Sequence, residues 1–149
     1  MGFKIRNTAK EWFKHIRKKD GLETDFDVYY FCLMAGLSGN QKEAPTDATE
    51  FIDYYPGDYK NSGRLLVSLL LKTELDRLGV DLSEKKNVRE VIKRLVSTNT
   101  RTYLSDEGTK LMDSYSYAGF DVIREAFHSD PPRSLEIFLP RFRELLQSQ

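Results

Sequence analysis

The chain is poor in the residues that staple a small protein or load it with a cofactor. Among its 149 residues there is one cysteine, Cys32, so no intramolecular disulfide can form and no zinc-ligand spacing exists. The two histidines, His15 and His128, are far apart, and neither has an evident nucleophile or acid partner. No hydrolase-type triad can be assembled from them. Charge of neither sign dominates: 23 Lys and Arg stand against 23 Asp and Glu, so no global field points to a polyanionic partner. Long apolar runs are missing. The longest, residues 65–71, contains Ser68 and is far too short to span a bilayer, and the opening MGFKIRN lacks the apolar stretch of a signal peptide. A reducing, cytoplasmic location with no membrane partner is expected. No glycine-lysine-serine/threonine triplet occurs, which rules out a Walker A loop and leaves nucleotide hydrolysis unsupported. There is no internal repeat, and nothing alternates with period two over a strand's length.

What is present is helical periodicity. The length suits a single domain, 1–149, able to bury roughly two-thirds of its unfolded surface without a staple. Thr8-x-x-Glu11 has the pattern of a capping box ahead of Trp12, Phe13 and Ile16, with Gly21 closing that helix. Residues 26–37 follow Thr24 and Asp25 and are apolar on nearly every face, as a central helix covered on several sides should be. Thr46 or Asp47 can cap a short helix through Asp53. A long helix is predicted from about Ser62 to Leu78, ended by Gly79, and another after Ser83 with Val88, Val91, Ile92 and Leu95 inward. Residues 97–103, STNTRTY, read as a polar linker. Residues 106–127 form one interrupted helix or two short ones, with Gly119 as the break. After Asp130-Pro131-Pro132, Ser134 caps a last helix that Pro140 kinks or splits. The fold class is all-α: a compact single-domain bundle of six or seven helices around a central apolar helix.

The segment with most chemistry is residues 51–64, FIDYYPGDYKNSGR. Pro56-Gly57 marks a turn, and Lys60 to Arg64 lie at the start of the long helix, where free N–H groups and the helix dipole favour an anion. Lys60 and Arg64 add charge, and Tyr55 or Tyr59 can stack on a base or hydrogen-bond a phosphate. Tyrosines covering the edge of a core, hydroxyls in water, account for the same pattern. Upstream, Asp47, Glu50 and Asp53 step by three, so on a short helix they share one side. With Asp58 from the loop they can hold a magnesium ion through oxygen ligands, although a polar helix face has the same appearance. The N-terminal segment carries Lys10, Lys14, Arg17, Lys18 and three further cations against a single Glu11. It is either a phosphate-tracking basic helix or an ordinary solvated face packed through Trp12 and Ile16. A second cluster, Lys85, Lys86, Arg89, Lys93, Arg94 and Arg101, reads chiefly as an exposed face. Asp27 belongs to the first turn of its helix, Cys32 to the core, and Tyr115, Tyr117 and Phe120 to helix packing.

Three segments together, FDVYYFCLMAGL, EFIDYYPGDY and YAGFDVI, resemble small helical proteins of bacterial DNA phosphorothioate-modification and phage-defence systems, in particular the DNA-nicking component of the Ssp type. The resemblance covers about the central two-thirds of the chain and implies a DNA partner and a divalent metal. It transfers no active-site residue. From local chemistry alone, Asp53, Asp58 and Lys60 are the candidate catalytic residues, and Glu50, Asp53 and Asp58 the candidate magnesium ligands. Lys10, Lys14, Arg17, Lys18, Tyr59 and Arg64 are the candidate nucleic-acid contacts. The expectation is a DNA-acting, metal-dependent nicking protein. The alternative is a non-enzymatic helical adaptor for another protein of the same pathway.

Overall fold

The structure is a computed structural model describing residues 1–149. It is all-α, with six α-helices: α1 (Asn7–Trp12), α2 (Asp25–Ser38), α3 (Gly63–Leu78), α4 (Lys85–Leu95), α5 (Asp106–Ala126) and α6 (Leu135–Ser148). One small sheet pairs β1 (Phe3–Arg6) with β2 (Ala48–Ile52). No helix is long and apolar enough to cross a membrane. The chain divides into two compact units, residues 4–51 with 113–149 and residues 1–3 with 52–112. The boundary falls within α5, between Met112 and Asp113.

In the larger unit α2 is the buried centre, as its apolar circumference predicts. Thr24 and Asp27 cap it reciprocally: the Asp27 N–H donates to Thr24 Oγ1 (3.3 Å) and the Thr24 N–H to Asp27 Oδ2 (2.9 Å). Asp27 therefore sits in the first turn, favoured by the dipole. Trp12, Phe13 and Ile16 pack with Cys32, Phe120, Ile123, Phe127, Phe138 and Phe142 in one apolar cluster. Edge-on rings, such as Phe13 on Phe138 at 5.4 Å, give it the geometry aromatic quadrupoles prefer. Tyr115, Tyr117 and Phe120 are all buried.

Gly119 does not break α5, which runs unbroken. A side chain at Gly119 would collide with the Cys32 carbonyl, and one at Gly36 with the Tyr115 carbonyl. The two glycines let α2 and α5 cross backbone to backbone. Pro140 lies inside α6 without splitting it, and Ser134 Oγ accepts the Ile137 N–H at 3.2 Å.

Three further expectations are corrected in this unit. Thr8 and Glu11 form no capping box. The cap is Arg6 without a side-chain bond, because the chain enters α1 directly from β1 and Thr8 Oγ1 is taken by Arg6 Nε (3.1 Å). Helix α1 also ends at Trp12 and gives way to a 3₁₀ turn, Lys14–Ile16, so the N-terminal cations do not share one long helix. The short acidic helix through Asp53 is instead strand β2: Thr49, Phe51 and Ile52 are strand formers, and β1 supplies the pairing. Only Glu50 lies on the strand, with Asp47 before it and Asp53 after it, so the three acids lose the common side that a helix would give them.

In the smaller unit α3 and α4 pack through Leu75, Val91 and Leu95, with Leu71, Val80, Val88 and Leu111 against them. Gly79 ends α3 at φ 69°, and the Val80 N–H reaches back to the Leu75 carbonyl at 2.9 Å. Helix α4 is capped by Glu84 rather than Ser83, and Ile92 faces outward.

Candidate nucleic-acid interface

Two loops of the smaller unit build the site. The first carries Asp53, Tyr54 and Tyr55, turns at Pro56 and passes through a 3₁₀ turn, Gly57–Tyr59, into α3. Gly57 takes φ 40°, the left-handed value its lack of a Cβ permits. Ser62 precedes α3 without a side-chain cap, leaving first-turn N–H groups of α3 unsatisfied by side chains. The second loop is the STNTRTY segment, which is not a slack linker. An antiparallel bridge joins Val96 to Leu104, the Ser97 N–H donates to the Tyr103 carbonyl (3.0 Å), and Thr100 Oγ1 donates to the Leu104 carbonyl (2.9 Å). Tyr103 is held at φ 62°, a strained value for a bulky residue.

Tyr55 fastens one loop to the other. It is buried, its hydroxyl donates to the Thr102 carbonyl at 2.9 Å, and its ring stacks near Tyr103 at 6.5 Å. Burial pushes its phenol above the usual range. Tyr55 is thus an anchor, with no face to offer a base. Tyr59 is half-buried at the end of the 3₁₀ turn.

Between the loops lies a cavity of 550 Å³ lined by Tyr54, Lys60, Thr100, Arg101 and Tyr103, with Tyr55 and Gly57 behind. Its charge is positive and its walls aromatic. The Arg101 guanidinium lies 4.9 Å from the Tyr54 ring centre, and that of Arg64 lies 5.2 Å from Tyr103. Arg101 also donates through Nη2 to Asp53 Oδ1, in a pair exposed on both sides. Lys60 and Asp58 are exposed and unpaired. Of the residues singled out in the sequence, Asp53, Lys60 and Arg64 therefore meet at this cavity or at its arginine–tyrosine pairs. Arg101 and Tyr103 were missed as partners of that loop, because about forty residues separate the two segments in the chain. The signal was present in the arginine and tyrosine of a linker otherwise made of small polar residues.

The other cations divide by their partners. In the larger unit Lys14 pairs with Glu11 (2.7 Å), Arg17 with Asp25 (2.7 Å) and Lys10 with Asp25 (3.7 Å), while Lys18 is exposed. Three of the four N-terminal candidates thus have a carboxylate in reach, with Lys10 and Arg17 sharing Asp25. On α4, Lys85, Lys86, Arg89 and Lys93 are exposed and unpaired on one side of the helix, and Arg94 pairs with Glu107 (2.6 Å).

No group of three or more His, Cys, Asp or Glu side chains is arranged to hold a metal ion. Glu50 stands on β2, and Asp53 is engaged by Arg101. The three carboxylates proposed as magnesium ligands therefore do not fit as one donor set. A larger cavity, 760 Å³ in the larger unit, is bordered by Lys42, Glu43, Asp121 and Glu125. Its Asp121 is already held by Arg6 (3.0 Å) and Arg124 (2.9 Å), and its mixed charges favour no anion.

One buried acid escaped sequence reading. Asp113 on α5 accepts the Lys4 N–H (3.1 Å) and the Tyr29 hydroxyl (2.8 Å) through one oxygen. Burial pushes its carboxyl up to about 7, against the lowering effect of those bonds and of Lys4, while Glu50 raises it further. Asp113 stands on α5 among the buried Met112, Tyr115 and Ser116, a burial visible only once the helix is packed, so the sequence carried no clear sign of it. Cys32 is buried, with its thiol pushed up by desolvation, and is inert packing.

The molecule is thus an all-α protein with an arginine–tyrosine cavity between two loops. Comparison of the chain with protein-family models, curated proteins and solved structures finds no match.

Proposed function

We propose that this is a DNA-acting protein that holds the nucleic-acid strand at the cavity between the Tyr54–Lys60 and Thr100–Tyr103 loops. The observation that carries this reading is the pairing of two arginines with two tyrosine faces around a concave site, with unpaired Lys60 on its lining. Arginine binds phosphate through a planar fork and stacks on flat rings, and tyrosine offers a face to any base. The Arg101–Asp53 pair is solvent-exposed, so it is worth only roughly 0–1 kcal/mol, and a phosphate can take the place of the carboxylate. A role in a bacterial DNA-modification or phage-defence system, and strand nicking with magnesium as the activity, are supported by the resemblance of the three sequence segments. Asp58, exposed and unpaired between Gly57 and Lys60, is the carboxylate open for such chemistry.

The test is a labelled single-stranded oligonucleotide for binding and supercoiled plasmid for nicking, each with and without magnesium, beside Arg101→Ala. Salt-sensitive binding that the variant loses supports the DNA reading, and magnesium-dependent nicking supports the enzyme. Absence of both sinks the proposal. A second reading, a helical adaptor, is favoured by apolar side chains exposed in the same unit: Leu65 (60%), Leu78 and Leu82 (74%).

A further inference from the structure

Resting on the DNA reading above, we propose that the cavity takes an unpaired nucleotide of single-stranded DNA. Its base lies against Tyr54 and Tyr103, and its phosphates meet Lys60 and Arg101.

Duplex DNA shows a protein only base edges, at the floor of its grooves. It is read by an element that projects, a helix or a β-ribbon. Here the surface is the reverse: a concavity of 550 Å³ between two loops, in the size range of small-molecule sites and suited to one nucleotide. The loops are tied across its back by the Tyr55 hydroxyl on the Thr102 carbonyl, and the Val96–Leu104 bridge closes the second loop on itself. A face-on aromatic wall is useful only to a base whose own face is free.

The rings are placed for that role. Tyr54 is 42% exposed, and its ring contact is with Arg101 alone, so the tyrosine–arginine pair is a ready stacking platform. Tyr103 lines the same cavity, its ring centre 6.5 Å from that of Tyr55 and 5.2 Å from the Arg64 guanidinium. Its left-handed backbone, φ 62°, is a conformation that surrounding structure must impose, and it sets the ring on the cavity wall. Arg101 serves both parts of a nucleotide, stacking by its plane and reaching phosphate by its edge once Asp53 is displaced.

The experiment is a fluorescence-anisotropy titration of the full chain. The probes are a labelled single-stranded DNA 12-mer, the same sequence as a duplex, an abasic 12-mer and a single-stranded RNA 12-mer. The proteins are the wild type, Tyr54→Ala, Tyr54→Phe and Arg101→Ala. Tyr54 is exposed, so its variants fold. The expected result is single-stranded DNA bound at least tenfold tighter than duplex, a preference the abasic strand does not share. Tyr54→Ala is expected to weaken single-strand binding about tenfold and duplex binding little, with Tyr54→Phe restoring it, as loss and return of one stacked base require. If duplex binds as tightly as the single strand while Arg101→Ala weakens both, the inference fails and the DNA reading stands. Tighter binding of RNA than of DNA overturns the assignment to DNA. No salt-sensitive binding to any probe overturns the inference and the DNA reading together.

Discussion

Arg101 divides its guanidinium between Asp53 and the face of Tyr54, with all three residues at the surface. That arrangement changes what Asp53 is for. In the sequence it stands among carboxylates as a metal ligand, whereas in the fold it is the counter-ion of Arg101, the group that an incoming phosphate would displace under the proposed function. Removing its charge is therefore expected to strengthen nucleic-acid binding. Asp53→Asn should tighten a labelled oligonucleotide by about threefold, and Arg101→Ala should weaken it by about tenfold, as loss of a charge-assisted bond predicts. An Asp53→Asn variant that binds more weakly would return Asp53 to a direct role. Asp113 yields a pH prediction. Its folded carboxyl keeps the proton up to about pH 7, against an ordinary value of 3.8, so between those values the folded state binds more protons than the unfolded one. Stability from this group is fully present below pH 3.8 and is lost as pH rises through about 7. Asp113→Asn retains an acceptor for the Lys4 N–H and the Tyr29 hydroxyl without the charge. It should raise the thermal midpoint at pH 8, by a gain on the order of 2 kcal/mol, and change it little at pH 4.

Helix positions were readable from spacing wherever caps and apolar stripes agreed. The start of α2 after Thr24, the Gly79 stop and the Ser134 cap each stand where local rules put them. The misreadings arise where a distant element takes over. Asp47, Glu50 and Asp53 stand at helical spacing, but β1 offers a ladder and residues 48–52 extend to meet it. Gly119 looks like a helix breaker in one dimension and proves to be a contact in three, against the Cys32 carbonyl. The two kinds of glycine separate experimentally. Gly119→Ala forces α2 and α5 apart and should cost about 3 kcal/mol or abolish folding, as overpacking does. Gly79→Ala meets nothing within 4 Å and should cost only about 1 kcal/mol, for the left-handed backbone. Thermal unfolding of the two variants side by side checks the order; equal losses would contradict the crossing.

For the molecule as a whole, zero net charge means that affinity for a polyanion must come from a local cluster rather than a global field. With Lys60 and Arg101 as phosphate partners, binding of a short single strand should fall with salt at a log–log slope of about −1.4. Lys10→Ala and Lys14→Ala should leave that slope unchanged, since neither lysine lines the cavity. A slope that flattens in those variants would move the interface to the N-terminal segment. The sequence by itself determined the helical class, the central apolar α2, most helix ends and the tyrosine-rich turn before α3. Those features depend on residues within a few positions of one another, and periodicity and capping report them directly. Only the tertiary structure decided which cations are spent in ion pairs and which acids stay apart. It also decided that the STNTRTY loop closes on the tyrosine turn. Those outcomes rest on contacts such as Tyr55 with Thr102, 47 positions apart, whose partners are chosen by packing rather than by spacing.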